Sequence, residues 1–172
     1  IGNTNYEGIE VKNGVVTGWG MGIELATGSC FPDDCIAKYT RLEKLRVTNN
    51  VGAGIHLPGV GSTVSDCVVA SNGDNGISVG AGSIVTRTAA FGNLNGIVTS
   101  DGSVVSGCTA VSSTFVGISA SRSVVQGCAV RVNGTDGISV NEALVRGNSS
   151  NQNTGNEINA ISSTVVNNHT EP

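Results

Sequence analysis

An all-β solenoid of stacked three-stranded coils is the fold this sequence predicts, and three observations predict it. First, one short phrase keeps returning. It reads Asn75-Gly76-Ile77-Ser78-Val79, Asn95-Gly96-Ile97-Val98-Thr99, Val116-Gly117-Ile118-Ser119-Ala120 and Asp136-Gly137-Ile138-Ser139-Val140. Earlier copies are Met21-Gly22-Ile23-Glu24-Leu25 and Ala53-Gly54-Ile55-His56-Leu57, and a decayed copy is Asn156-Glu157-Ile158-Asn159-Ala160. The glycines at 22, 54, 76, 96, 117 and 137 are separated by 32, 22, 20, 21 and 20 residues, and a period of about twenty is the mark of a solenoid. Second, the pieces between turns are short and rich in β-branched residues, which is strand chemistry; no stretch shows helical periodicity. Third, like residues fall into columns when the copies are aligned, as stacked coils require.

Each repeat reads as three extended pieces. The first is Thr63-Val64-Ser65, with equivalents Ile84-Val85-Thr86, Val104-Val105-Ser106, Val124-Val125-Gln126 and Leu144-Val145-Arg146. A tight turn follows, as at Gly107-Cys108 and Gly127-Cys128. The second piece is Val68-Val69-Ala70 and its copies. A polar turn such as Asn72-Gly73-Asp74-Asn75 leads into the third, the Gly-Ile element. The columns Val64, Val85, Val105, Val125, Val145, Val165 and Ile23, Ile55, Ile77, Ile97, Ile118, Ile138, Ile158 are the expected interior. The column Cys67, Thr88, Cys108, Cys128, Asn148, Asn168 sits at the tight turn, where small side chains can point inward and bond their neighbours in a ladder. The whole chain, 1–172, is expected to be one domain of about seven coils, with an irregular insert at about 26–38. The second coil is the charged one, with Arg41, Glu43, Lys44 and Arg46 alternating around Leu42, Leu45 and Val47.

Composition narrows the function classes. Aromatics make up 3% and charged residues 13% of the chain, beside 25 glycines, so the core is narrow and aliphatic. The formal charge of −4 gives no electrostatic reason to expect a nucleic acid. No apolar run is long enough to span a membrane. Five cysteines, at 30, 35, 67, 108 and 128, cannot all pair. Cys30 and Cys35 bracket Phe-Pro-Asp-Asp and could close a small disulfide loop; the other three are expected as buried thiols. No spacing suggests zinc, and neither a metal nor a cofactor is expected. The chain starts at Ile1 and shows no capping helix at either end, so a leader, a preceding domain or a covering partner is expected.

Three strands per coil, an inward ladder at a two-residue turn and the repeated Asn-Gly-Ile resemble the right-handed parallel β-helix of the pectin-lyase-like proteins, from about Ile9 to Val166. The resemblance speaks for fold more than for activity, because that fold hosts lyases, hydrolases, epimerases, fibres and adhesins. It implies a polysaccharide lying along the outer face of the Gly-Ile strands and the turn leading into them, in a secreted or cell-surface protein. The residues there are Glu24 and His56 as a candidate acid/base pair, with Trp19, Asp33, Asp34 and Asp74 as candidate binding residues. The family's catalytic sets are largely missing: Asp33-Asp34 matches an Asp-Asp pair, but no Gly-His or Arg-x-Lys accompanies it. Whether the protein is an enzyme therefore stays open. The residue before each inward valine suggests a second surface. Ile84, Val104, Val124 and Leu144 would form an outward apolar stripe, and such stripes mark interfaces. This is the basis of the alternative reading, a structural module that associates with its own copies.

Overall fold

The computed structural model describes residues 7–25 and 37–171. Among them every regular element is a strand, and every pairing is parallel to the equivalent strand of a neighbouring coil. Among the described residues no helix is long and apolar enough to cross a membrane. The Gly-Ile strands form one sheet of seven, whose members include Ile23–Glu24, Ile55–Leu57, Ile77–Val79 and Ile97–Thr99, in coil order. The Val64-type and Val69-type strands form the other two walls of about seven coils. Each column predicted as interior is in register: Ile55 pairs with Ile77, Ile77 with Ile97, and Val105 with both Val85 and Val125. Ile55, Ile77, Ile97, Ile118, Ile138, Val64, Val85, Val105, Val125 and Val145 are all fully buried. Single strands of three residues cannot bury a face alone; stacking makes one continuous aliphatic core.

The first coils depart from the three-strand pattern. β1 (Glu10–Thr17) pairs along its length with an eight-residue strand, Arg41–Thr48. The latter spans what are two separate strands in later coils, pairing with Thr63–Ser65 through Arg41–Glu43 and with Val68–Ala70 through Arg46–Thr48. It thereby joins the second and third walls into one sheet. The alternation expected here holds: Leu42, Leu45 and Val47 are buried, while Arg41, Lys44 and Arg46 are exposed. The Ala37 N–H donates to the Leu25 carbonyl at 3.3 Å.

Three corners close each coil, and all three use one device. A residue in the left-handed region turns the chain, and the next side chain points inward, at most of these positions bonding the coil beside it. At the corner leaving the Gly-Ile strand, Gly61, Gly82, Gly102 and Arg122 have positive φ. A serine ladder follows: the N–H groups of Ser62, Ser83 and Ser103 donate to the hydroxyls of Ser83, Ser103 and Ser123 at 3.1, 3.2 and 3.1 Å. At the tight turn, Asp66, Arg87, Gly107, Gly127, Gly147 and Asn167 have positive φ, and the predicted ladder stands. Cys67 N–H donates to Thr88 Oγ1 at 3.2 Å, Cys128 N–H to Asn148 Oδ1 at 2.9 Å, and Asn148 N–H to Asn168 Oδ1 at 2.9 Å. Cys67, Cys108 and Cys128 are free and buried. Burial pushes the Cys67 thiol up from its ordinary pKa. The Cys108 thiol is pushed up by its hydrogen bond to Cys128 and then by burial.

The third corner holds the fullest ladder, at a turn the sequence marks only as polar. Asn50, Asn72, Asn93, Asn133 and Asn153 face inward. Asn50 Nδ2 donates to Asn72 Oδ1 at 2.8 Å, Asn72 Nδ2 to Asn93 Oδ1 at 3.0 Å, and Asn133 Nδ2 to Asn153 Oδ1 at 2.8 Å. This ladder explains the glycine of the repeated phrase. A Cβ at Gly54 would sit 2.7 Å from Asn72 Nδ2 and 2.7 Å from the Gly76 carbonyl. Gly76 and Gly117 face Asn93 and Asn133 in the same way. Where the glycine becomes Glu157, the carboxylate turns back onto the ladder. It accepts from Asn153 N–H at 3.1 Å, from Asn153 Nδ2, and from the Ser150 hydroxyl at 3.1 Å.

Candidate functional site

The Gly-Ile strands alternate, so the residue after each buried isoleucine faces outward. Register makes these residues one row: Glu24 pairs with His56, His56 with Ser78, Ser78 with Val98, Val98 with Ser119, Ser119 with Ser139 and Ser139 with Asn159. Successive members are one strand spacing apart, about 4.8 Å. Glu24 is exposed and His56 half-buried. Among the described residues neither side chain has a hydrogen bond or ion pair, so the carboxylate and the imidazole stand side by side with their polar atoms open to a ligand. The hydroxyls of Ser78, Ser119 and Ser139 are likewise without a partner among the described residues.

Two more predicted residues lie on turns entering this sheet. Trp19 precedes the Ile23–Glu24 strand and is 65% exposed. Its backbone is held firmly: the N–H donates to Asn50 Oδ1 at 3.0 Å, and the carbonyl accepts from Val51 N–H at 2.8 Å. Asp74 precedes the Ile77–Val79 strand, and its main chain is tied to Gly52 and Leu94. Trp19 and Glu24, His56, and Asp74 thus come from three consecutive coils. Asp33, Asp34, Cys30 and Cys35 lie outside the described residues. Among the described residues no three His, Cys, Asp or Glu side chains are grouped as metal ligands.

The same turns carry residues that sequence reasoning passed over. Phe115 is 46% exposed on the turn entering Ile118–Ser121, with its N–H on the Leu94 carbonyl at 2.8 Å and its carbonyl accepting from Thr135 at 3.1 Å. Its position in the repeat, one residue before Val116-Gly117-Ile118, was the available signal. Asn75 and Asn95 form a short outer ladder, Asn95 Nδ2 donating to Asn75 Oδ1 at 2.9 Å. Asp136 accepts from Asn156 N–H at 2.9 Å and from Asn159 Nδ2 at 2.8 Å, which gives it a structural role.

With this geometry, the sequence matches the family model described as "Right handed beta helix region" over residues 34–170. The chain belongs to the right-handed β-helix family. The hand of the coil and the pectin-lyase-like fold follow from that membership. Solved structures agree on the frame. A pectate lyase, Pel9A, superposes with a TM-score of 0.63 at 14% identity, over 68% of this chain and 39% of the other. The A-module of the Azotobacter vinelandii mannuronan C-5 epimerase AlgE4 gives 0.65 at 16% identity, over 74% and 40%. The Agl-KA catalytic domain gives 0.64 at 14% identity, over 98% and 48%. The chain therefore spans about two fifths to one half of each of these β-helix chains, and the likeness is one of fold. No curated protein sequence matches the chain.

The second predicted surface is also a row. Thr63 pairs with Ile84, Ile84 with Val104, Val104 with Val124, Val124 with Leu144 and Leu144 with Thr164. Ile84 is exposed, and Val104, Val124 and Leu144 are half-buried, packed side by side along the wall. Their inward neighbours Val85, Val105, Val125 and Val145 are fully buried.

Proposed function

We propose that this β-helix is a secreted or cell-surface protein that binds a polysaccharide along the outward row of its Gly-Ile strands. The observation that carries the reading is the unpartnered row itself. Glu24, His56, Ser78, Ser119 and Ser139 share one row, interrupted only at Val98 between Ser78 and Ser119, with their polar atoms free among the described residues, and a linear polymer can meet such a row coil by coil. The β-helix neighbours named as a pectate lyase and a mannuronan C-5 epimerase support a carbohydrate ligand for the same frame. Trp19 and Asp74 would border the site at its N-terminal end, and Asp33 and Asp34 remain candidate binding residues from the sequence. Any turnover falls to Glu24 and His56, because a carboxylate and an imidazole side by side can divide the acid and base roles. The test is a panel of polysaccharides screened for binding and for cleavage or epimerisation. With a processed substrate in hand, Glu24→Gln and His56→Ala should each abolish most turnover while circular dichroism stays that of the wild type. Full activity in both variants would remove the pair from the reaction.

One observation favours a second reading. The outward row Ile84, Val104, Val124 and Leu144 is apolar over four coils, and it suits a structural module that pairs with its own copies. Light scattering across a concentration series should then show an oligomer that Val104→Glu and Val124→Glu dissolve. A monomer at every concentration would rule this reading out.

A further inference from the structure

The charge of the chain is sorted by wall, and the sorting bears on which polysaccharide fits. All nine lysines and arginines stand away from the outward row and from the turns that enter it. Seven of them, Lys12, Arg41, Lys44, Arg46, Arg87, Arg131 and Arg146, lie on the second and third walls or the corner between them. Lys38 and Arg122 stand at the corner leaving the Gly-Ile strands, and Arg122 is taken up by Asp101 and by Glu142 at 3.9 Å. The row and its entering turns carry Glu24, Asp74 and Asp136 instead. Apart from the single imidazole of His56, the remaining groups are neutral: the serine hydroxyls, Asn75, Asn95 and the exposed ring of Phe115.

We infer that the ligand of this face is a neutral glycan, with Ser78, Ser119 and Ser139 bonding its hydroxyls and Phe115 offering a stacking surface to a sugar ring. The inference rests on the polysaccharide reading above. A polyuronate brings one carboxylate per sugar, and on this face each would meet acids and hydroxyls with no arginine fork or ammonium to pair it. Carboxylates left unpaired beside Glu24 or Asp74 repel them and hold their hydration water. A neutral glycan meets no such opposition. Its ring faces stack on aromatic side chains, and its hydroxyls both donate to and accept from serine and asparagine.

The experiment is affinity electrophoresis and calorimetry of the protein with two neutral polymers, a mixed-linkage β-glucan and a galactomannan, and two polyuronates, polygalacturonate and polymannuronate. Each polyuronate is tested in EDTA and in calcium, since calcium could bridge it to the acids. The expected result is binding of a neutral polymer at least about tenfold tighter than either polyuronate under both conditions. Phe115→Ala should weaken that binding by about tenfold with an unchanged melting temperature. Equal or tighter binding of a polyuronate would overturn the inference while leaving the polysaccharide reading standing. Unchanged affinity in Phe115→Ala would overturn the role given to the ring. Failure of all four polymers to bind would overturn the polysaccharide reading itself.

Discussion

Replacing Ser113 with asparagine should stabilise this protein. The inward asparagine column is interrupted at Ser113, which is 2% exposed and whose hydroxyl has no hydrogen-bond partner. Upstream, Asn93 already accepts from Asn72 at 3.0 Å, and its own Nδ2 reaches the Val69 carbonyl at 3.0 Å. It meets no carboxamide in the coil below. Downstream, Ser113 N–H donates to Asn133 Oδ1 at 2.9 Å. A carboxamide at 113 restores the rung. Its Oδ1 accepts from Asn93, and its Nδ2 reaches the Ala90 carbonyl and Asn133, as Asn133 Nδ2 now reaches the Ala110 carbonyl at 3.3 Å and Asn153 at 2.8 Å. Space is available, because the buried neighbours Ala90 and Ala110 are smaller than the Val130 beside Asn133. Each new bond is worth about 0.5–1.5 kcal/mol net, and the ordering of one more buried side chain offsets part of that. The expected gain for Ser113→Asn is about 1–2 kcal/mol, or a rise of roughly 2–8 °C in Tm for a chain of this size. Urea and thermal melts followed by far-UV circular dichroism measure it. Two comparisons fix the cause: Ser113→Ala, which deletes an unpartnered hydroxyl, should cost little, and Asn133→Ala, which removes the side-chain bonds to Ser113, Ala110 and Asn153, should cost about 2–4 kcal/mol. A Ser113→Asn protein no more stable than wild type would show that the ladder is not what holds this corner.

The same substitution at two glycines should differ for a physical reason. At Gly117 a Cβ would meet Val130 Cγ1 at 2.5 Å and Asn133 Nδ2 and the Gly137 carbonyl at 2.7 Å, so Gly117→Ala should cost about 3 kcal/mol; at Gly147 space is open and only the φ of +60° opposes a side chain, so Gly147→Ala should cost about 1 kcal/mol. Equal losses in chemical melts would contradict the packing account of the repeated glycine. Cys67, Cys108 and Cys128 should resist a thiol reagent in native buffer and react on unfolding, because all three are buried out of its reach; mass mapping of labelled sites decides this. Finally, Arg87 binds Asp66 through two hydrogen bonds of 2.8 Å and holds its carboxyl below the usual carboxylate range. A lowered folded pKa stabilises above the unfolded value and is lost as pH falls through the lowered one. The pair is exposed to solvent, so Asp66→Asn should barely move Tm at neutral pH in physiological salt, and a drop of many degrees would refute that.

Repeat spacing, strand character, the valine and isoleucine columns and the outward row were all legible in the residues. They depend only on alternation along a strand and on a fixed coil length, both of which are written in one dimension. The tight-turn ladder was legible for the same reason. Asn50, Asn72, Asn93, Asn133 and Asn153 were not, although they too recur once per coil. Asparagine is an ordinary turn residue, and what sends these side chains inward is the left-handed residue before each of them. That residue is Asn49, Ser71, Gly92, Val132 or Gln152, a set with no common chemistry. A β-branched valine at φ +56° is a conformation no propensity predicts; the bonded rung beside it supplies what the local chain opposes.

Local order along the chain thus sufficed to specify coils, strands and the face each residue takes. It did not reveal which polar groups remain unspent once the coils are stacked. Ser103 and Ser123 give their hydroxyls to the corner ladder, while those of Ser78, Ser119 and Ser139 stay unbonded among the described residues, and one serine looks like another in sequence. Only the meeting of neighbouring coils decides between those fates, because a hydrogen bond needs its partner within about 3 Å, and those partners lie about twenty residues away in the chain.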